Sequence, residues 1–105
     1  MFNVKKADKL RKEVNKEFSL ANLYIAKWEK ANKKATPKKI KENNKKFGAI
    51  VAKQEKKTDK AYAAYYNYIH KNVSKTKINK ALDKSVKKTK LGAMSKTFLN
   101  ELSKK

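Results

Sequence analysis

Leu10, Val14, Phe18, Ala21, Ile25 and Trp28 follow one another at intervals of three or four residues, with Ala7 one turn earlier. Such spacing returns side chains to one side of a 3.6-residue turn, so it predicts an amphipathic helix over about residues 7–33. Leu20, Leu23 and Tyr24 widen the apolar stripe in its second half. A second series with the same spacing runs Ile40, Asn44, Phe47, Val51, Gln54, Thr58, Ala61, Tyr65 and Tyr68, and predicts another long helix. Thr36-Pro37 marks its start, because a threonine hydroxyl accepts from a first-turn amide and proline lacks only an N–H that would be orphaned there anyway. The centre of this series is polar, which predicts tight packing only towards Phe47 and the tyrosines. Gly48 sits inside it and costs about 1 kcal/mol relative to alanine. The short connection between the two helices makes them antiparallel neighbours.

A break follows over residues 67–74, where Asn67 or Asn72 can end the second helix by adopting the left-handed conformation. Ile78, Leu82, Ser85, Val86 and Thr89 then predict a third helix closed by Gly92. Ser95 can cap a last short helix carrying Phe98, Leu99 and Leu102. No strand-like alternation occurs, and there are only two glycines and one proline. The expected fold is all-α: a three-helix antiparallel bundle with two long helices and a short C-terminal fourth helix. The expected organisation is one helical nucleic-acid-binding domain over residues 1–90 and a C-terminal extension over 91–105 that holds the short helix.

Charge changes what this fold is for. Thirty basic residues face nine acidic ones, a formal net charge of +21 in 105 residues. Self-repulsion on that scale destabilises a compact monomer and calls for a polyanionic partner. Arg11 is the only arginine. Lysine neutralises phosphate as a point charge, whereas arginine reads guanine edges with two parallel bonds, so the bias favours backbone contact over base reading. Leu, Ile, Val and Phe make up 21 of the 105 residues. With this charge, that share lies near the composition of disordered chains, which predicts a fold that the partner helps to complete.

Other function classes find little support. There is no cysteine, hence no disulfide framework or thiolate metal site. Residues 1–6 lack the apolar run of a signal peptide, and the longest apolar stretches, 20–28 and 61–69, are far short of a membrane span. A cytoplasmic protein without a membrane partner is expected. His70 is the lone histidine, so no zinc site or catalytic triad can be built around a second one. The carboxylates stand singly among lysines that keep them ionised and poor as proton donors, and no glycine-rich phosphate loop exists. The expectation is a protein that is not an enzyme and uses no cofactor, metal or small-molecule substrate.

Trp28 lies on the first apolar stripe, and packing is preferred over base stacking for it. Tyr62, Tyr65, Tyr66 and Tyr68 are too closely spaced for one helical face. Tyr65 and Tyr68 are expected to pack inward, while Tyr62 or Tyr66 reaches a sugar or phosphate through its hydroxyl. The lysines are spread through the helices rather than gathered in a tail, which suits helix faces lying along a phosphate backbone. The densest basic regions are Lys5 to Lys16, with Lys5, Lys6, Lys9, Arg11, Lys12 and Lys16, and Lys71 to Lys90, with Lys71, Lys75, Lys77, Lys80, Lys84, Lys87 and Lys88. A hairpin folding back near Thr36 brings the N-terminus towards residues 68–74 and merges the two regions into one surface.

The opening Met1-Phe2-Asn3-Val4-Lys5-Lys6-Ala7 resembles the Met-Ala-Asn-Ile-Lys-Ser-Ala start of a bacterial small-subunit ribosomal protein family, the one numbered twenty. Ala63-Ala64, then Asn67, then Ile69-His70-Lys71-Asn72 is similar to that family's Ala-Ala…Gly-Val-Ile-His-Lys-Asn signature, with Asn67 where the family has glycine. The order of parts agrees over roughly ninety residues. The family is arginine-rich near its N-terminus, whereas here Arg11 stands alone, Glu13 and Glu17 interrupt the basic stretch, and the chain runs on beyond Thr89. The resemblance implies a three-helix protein bound to 16S rRNA in the small ribosomal subunit, with other ribosomal proteins as possible neighbours. It would have no catalytic role and would neutralise phosphates where RNA helices converge. It further implies that Asn3, Lys5, Lys6, Lys9 and Arg11 contact RNA along the first helix. His70, Lys71 and Asn72 would fix the turn into the third helix, where Lys75, Lys77, Lys80 and Lys84 continue the contact.

A DNA-compacting basic helical protein of a nucleoid or phage needs the same charge and helices, and stands as the alternative. A membrane-active or secreted basic helical protein fits less well, because lysines occupy several helix faces instead of opposing one apolar face. A three-helix DNA bender of the HMG-box kind is poorly matched by a long helical hairpin.

Overall fold

Asn3, Thr36, Ser74 and Ser95 each stand immediately before a helix and each places a side-chain oxygen on an amide of its first turn. The bonds run from Lys6 N–H to Asn3 at 3.2 Å, Lys39 N–H to Thr36 at 3.3 Å, Lys77 N–H to Ser74 at 3.3 Å, and Phe98 N–H to Ser95 at 3.1 Å. Each satisfies one of the first-turn donors that a helix cannot satisfy itself, an effect worth typically about 1 kcal/mol. In the computed structural model, which describes residues 2–89 and 91–104, the helices they open are α1 (Val4–Asn32), α2 (Pro37–Asn72), α3 (Lys75–Lys88) and α4 (Lys96–Ser103). A single 3₁₀ turn, Gly92–Met94, precedes α4. Among the described residues the regular structure is entirely helical.

Two compact units divide the chain. One joins the residues up to Asn15 with those from Ala61 onward, and the other is Lys16–Lys60. The first unit holds the apolar core: Ala7 and Val14 from α1, Tyr65 and Ile69 from α2, Ile78 and Ala81 from α3, and Phe98, Leu99 and Leu102 from α4. Residues 91–104, expected as an extension, thus supply three of the most deeply buried side chains. Burial of that depth is worth roughly 1.5–3 kcal/mol for each large apolar side chain. Two polar contacts seat the segment before α4. The Tyr65 hydroxyl donates to the Ala93 carbonyl at 2.6 Å, and the Arg11 guanidinium donates to the Met94 carbonyl at 3.4 Å.

The second unit is an antiparallel pairing of the latter part of α1 with the beginning of α2. Gln54 donates to both the backbone carbonyl and the carboxylate of Glu17, while Trp28 and Asn32 both donate to Asn44. Asn43 closes the turn end by donating to the Ala31 carbonyl and to Asn32. The partners of rising α1 numbers thus fall steadily along α2. Gln54 and Thr58 are buried, 4% and 6% exposed. The polar centre expected to pack loosely is therefore closed, because each of its polar groups finds a partner, Thr58 by donating back to the Gln54 carbonyl at 3.0 Å.

Of the two asparagines able to end α2, Asn72 is the one that does so. Other expectations are corrected. No residue other than glycine has positive φ among those described, so Asn72 ends the helix without a left-handed turn. The extended Ser74, already capping α3, stops the chain from winding on. Gly92 does not close α3 either, since Thr89 takes the C-cap with extended backbone; Gly92 opens the 3₁₀ turn, at φ +55°, where a side chain would be strained. Phe18 and Ile25, placed on the first apolar stripe, are 45% and 37% exposed. In the second unit one facing helix covers α1, and a single helix seals only a narrow seam.

Candidate nucleic-acid interface

The first unit brings the two basic ends of the sequence together. Asn3 N–H donates to the Tyr68 hydroxyl at 2.9 Å, linking the first turn of α1 to the last turns of α2. The Tyr68 ring also packs near Phe2, with centroids 6.1 Å apart, and lies 5.1 Å beneath the Lys6 ammonium. A cation over an exposed ring gains about 0.5–1 kcal/mol. Asn72 donates to the Tyr68 carbonyl at 2.8 Å, which fixes the end of α2 from the inside of the turn. Two helix ends remote in sequence are therefore tied at one tyrosine.

Around this junction the predicted site residues separate by what their charged groups do. Lys5, Lys9, Lys71, Lys75, Lys80 and Lys87 are exposed and make no ion pair among the described residues. Lys77 is half-buried at the first turn of α3, its backbone held by Ser74. His70 is exposed, with its ring 4.0 Å from that of Tyr66. Asn3 spends its side chain on the helix cap and its backbone on Tyr68. Lys90, the end of the second basic region, lies outside the described residues.

Four of the predicted cations, Arg11, Lys12, Lys84 and Lys88, are engaged by carboxylates around this unit, and Arg11 is engaged most deeply. Its guanidinium sits 2.8 Å from Asp8 with only 12% of the side chain exposed, so it acts as a clamp between α1 and the Met94 carbonyl. Lys12 reaches the other Asp8 oxygen at 3.3 Å. The Arg11 hydrogen bond, with help from Lys12, holds the Asp8 carboxyl below its ordinary value. Lys84 and Lys88 lie 3.6 Å and 3.9 Å from Glu101 of α4, and Lys104 approaches the same carboxylate at 2.9 Å. The Lys104 hydrogen bond, ahead of the opposing effect of burial, lowers the Glu101 pKa. Glu101 carried no signal in the sequence beyond the spacing that sets Lys84 and Lys88 one turn apart on α3.

Lys16 belongs to the second unit, where it is exposed. The tyrosines divide as expected in part: Tyr65 is buried and its phenol pKa is pushed well up by desolvation, Tyr68 is half-buried, and Tyr62 and Tyr66 face solvent. Trp28 donates its indole N–H to Asn44 at 2.9 Å, which makes it a packing residue of the second unit. Among the described residues no group of three histidine, cysteine or acidic side chains could hold a metal ion, and no helix is long and apolar enough to cross a membrane. Comparison with protein families, curated proteins and solved structures finds no match to this chain.

Proposed function

We propose that the protein is a non-catalytic constituent of the small ribosomal subunit that binds 16S rRNA directly, neutralising phosphates where RNA helices converge. The observation that carries this reading is the junction at Tyr68, which unites the cations of residues 5–9 with those of 71–87 on one unit. Neither segment alone is a site. Joined, they present unpaired lysines from three helices, a geometry suited to two backbone strands approaching from different directions. Asn3, from the N-terminal stretch of the ribosomal resemblance, meets Tyr68, which directly precedes its block Ile69-His70-Lys71-Asn72, and this supports the reading. With the proposal goes the three-helix antiparallel bundle that the resemblance implies, α4 being the short fourth helix.

The test is the identity of the nucleic acid that stays with the tagged full-length chain through a moderate-salt wash. Sequencing should return small-subunit rRNA, and the chain should co-sediment with small subunits. Recovery of genomic or phage DNA in place of rRNA would overturn the reading in favour of DNA compaction.

A further inference from the structure

Lys104, the residue that follows α4, lies outside both dense basic regions of the sequence, yet the fold carries it to α3. A cleft of about 480 Å³ between α3 and α4 is lined by Thr76, Lys77, Lys80, Lys84, Glu101 and Lys104. One carboxylate against four cations leaves the cleft positive, and all of it belongs to the unit that holds the Tyr68 junction. The carboxylate itself is closed to a ligand. Its side chain is 6% exposed, with Lys84 at 3.6 Å from one oxygen and Lys104 at 2.9 Å and Lys88 at 3.9 Å from the other. An incoming anion therefore meets ammonium groups and not Glu101. The Lys84 and Lys104 side chains are 64% exposed, and each ammonium has three donors, so donors remain after the carboxylate is met.

We propose that this cleft receives one backbone phosphate of the RNA, bound by Lys80 of α3 and by Lys104, so that the C-terminal end of α4 belongs to the interface. The inference rests on the RNA-binding reading and deepens it, by naming a built site and a residue that neither basic region contains. A lysine on a convex helix face must give up side-chain freedom to hold a phosphate. Lys84 and Lys104 have given up part of that freedom to Glu101 before RNA arrives. A cleft also offers its cations from two helices at once, which a single helix face does not. The Thr76 hydroxyl supplies a further donor at the rim. No aromatic ring lines the cleft among the described residues, and lysine acts as a point charge, so a phosphate suits it better than a base.

The test titrates the full-length chain with one structured RNA carrying a helical junction, over a series of salt concentrations. Lys104→Gln, Lys104→Arg and Lys96→Gln are measured beside it. Lys96 stands at the opposite end of α4, is exposed and makes no ion pair among the described residues, so its variant loses the same charge. Lys104→Gln should lower the slope of log affinity against log salt by about one. At one fixed salt it should weaken binding roughly 5- to 15-fold, between the values of an exposed ion pair and a charged hydrogen bond. Lys104→Arg should bind as the unaltered chain does, and Lys96→Gln should change affinity by less than about twofold. Lys80→Gln, whose ammonium takes no part in the Glu101 pairing, should also lower the slope by about one, which keeps the site testable if Lys104→Gln fails to fold. Equal losses in Lys104→Gln and Lys96→Gln, or a Lys104→Gln variant altered only in melting temperature, would overturn the cleft as a phosphate site and leave binding elsewhere on the unit standing. Failure of the unaltered chain to bind the RNA at low salt would overturn both.

Discussion

Glu101 is one acidic residue near the end of a lysine-rich chain, yet its side chain is only 6% exposed and draws lysines from α3 and from the end of α4. Such a carboxylate stabilises the packing of α3 on α4 by offsetting repulsion among cations that would otherwise crowd one another. Its pKa is lowered from an ordinary value of 4.5, principally by the Lys104 hydrogen bond. A depressed folded value means that its contribution is complete above pH 4.5 and is withdrawn as the pH falls through the lower value. Glu101→Gln should therefore lower the melting temperature at neutral pH and flatten its decline below pH 4.5. Asp8 accounts for acid sensitivity shared by both proteins. Parallel melting curves against pH would remove Glu101 from this role. Arg11 teaches the complementary point. As the only arginine of a strongly basic chain it invites a nucleic-acid role, whereas its fork geometry is used inside the fold, on Asp8 and a backbone carbonyl.

At the scale of elements, what was legible followed from local rules. Thr36-Pro37 and Ser95 open helices where capping chemistry places them, and the series from Ile40 to Tyr68, apart from the exposed Asn44, marks the covered side of α2. Where a local preference is permissive, a longer-range contact decides. Asn67 and Asn72 are both able to end a helix, and the second does so, because Tyr65, Tyr68 and Ile69 around the first are held by the core or the N-terminus. Phe18 and Ile25 keep helical spacing but have no second helix over them in their unit. The junction at Tyr68 was legible in outline, since a hairpin near Thr36 must return the chain to its start. The tyrosine that ties it and the carboxylates that engage Lys12, Lys84 and Lys88 depend on side-chain placement that spacing does not encode. Gly48 provides the test at this scale. A Cβ built there would lie 3.8 Å from the Trp28 ring, an ordinary contact. Gly48→Ala should consequently stabilise the protein by about 0.5–1 kcal/mol, through helix propensity and a less flexible unfolded chain. A lower chemical-denaturation midpoint for Gly48→Ala would show that the contact is tighter than its geometry indicates.

The whole molecule carries +21 with its large apolar core confined to one of two units. A uniform polycation and a protein with one charged junction share that total and differ in how affinity is distributed among the lysines. Salt dependence resolves them, because each lysine that displaces a counterion at the RNA adds about one to the slope of log affinity against log salt. The decisive measurement is this slope for structured RNA with the unaltered chain, with Lys71→Ala/Lys75→Ala, and with Lys38→Ala/Lys41→Ala. Both variants lose the same charge, and all four lysines are exposed. The junction account predicts a steep slope for the unaltered chain, a drop of about two for the Lys71/Lys75 variant, and little change for the Lys38/Lys41 variant. Equal drops in the two variants, or a slope near zero in the unaltered chain, would contradict it.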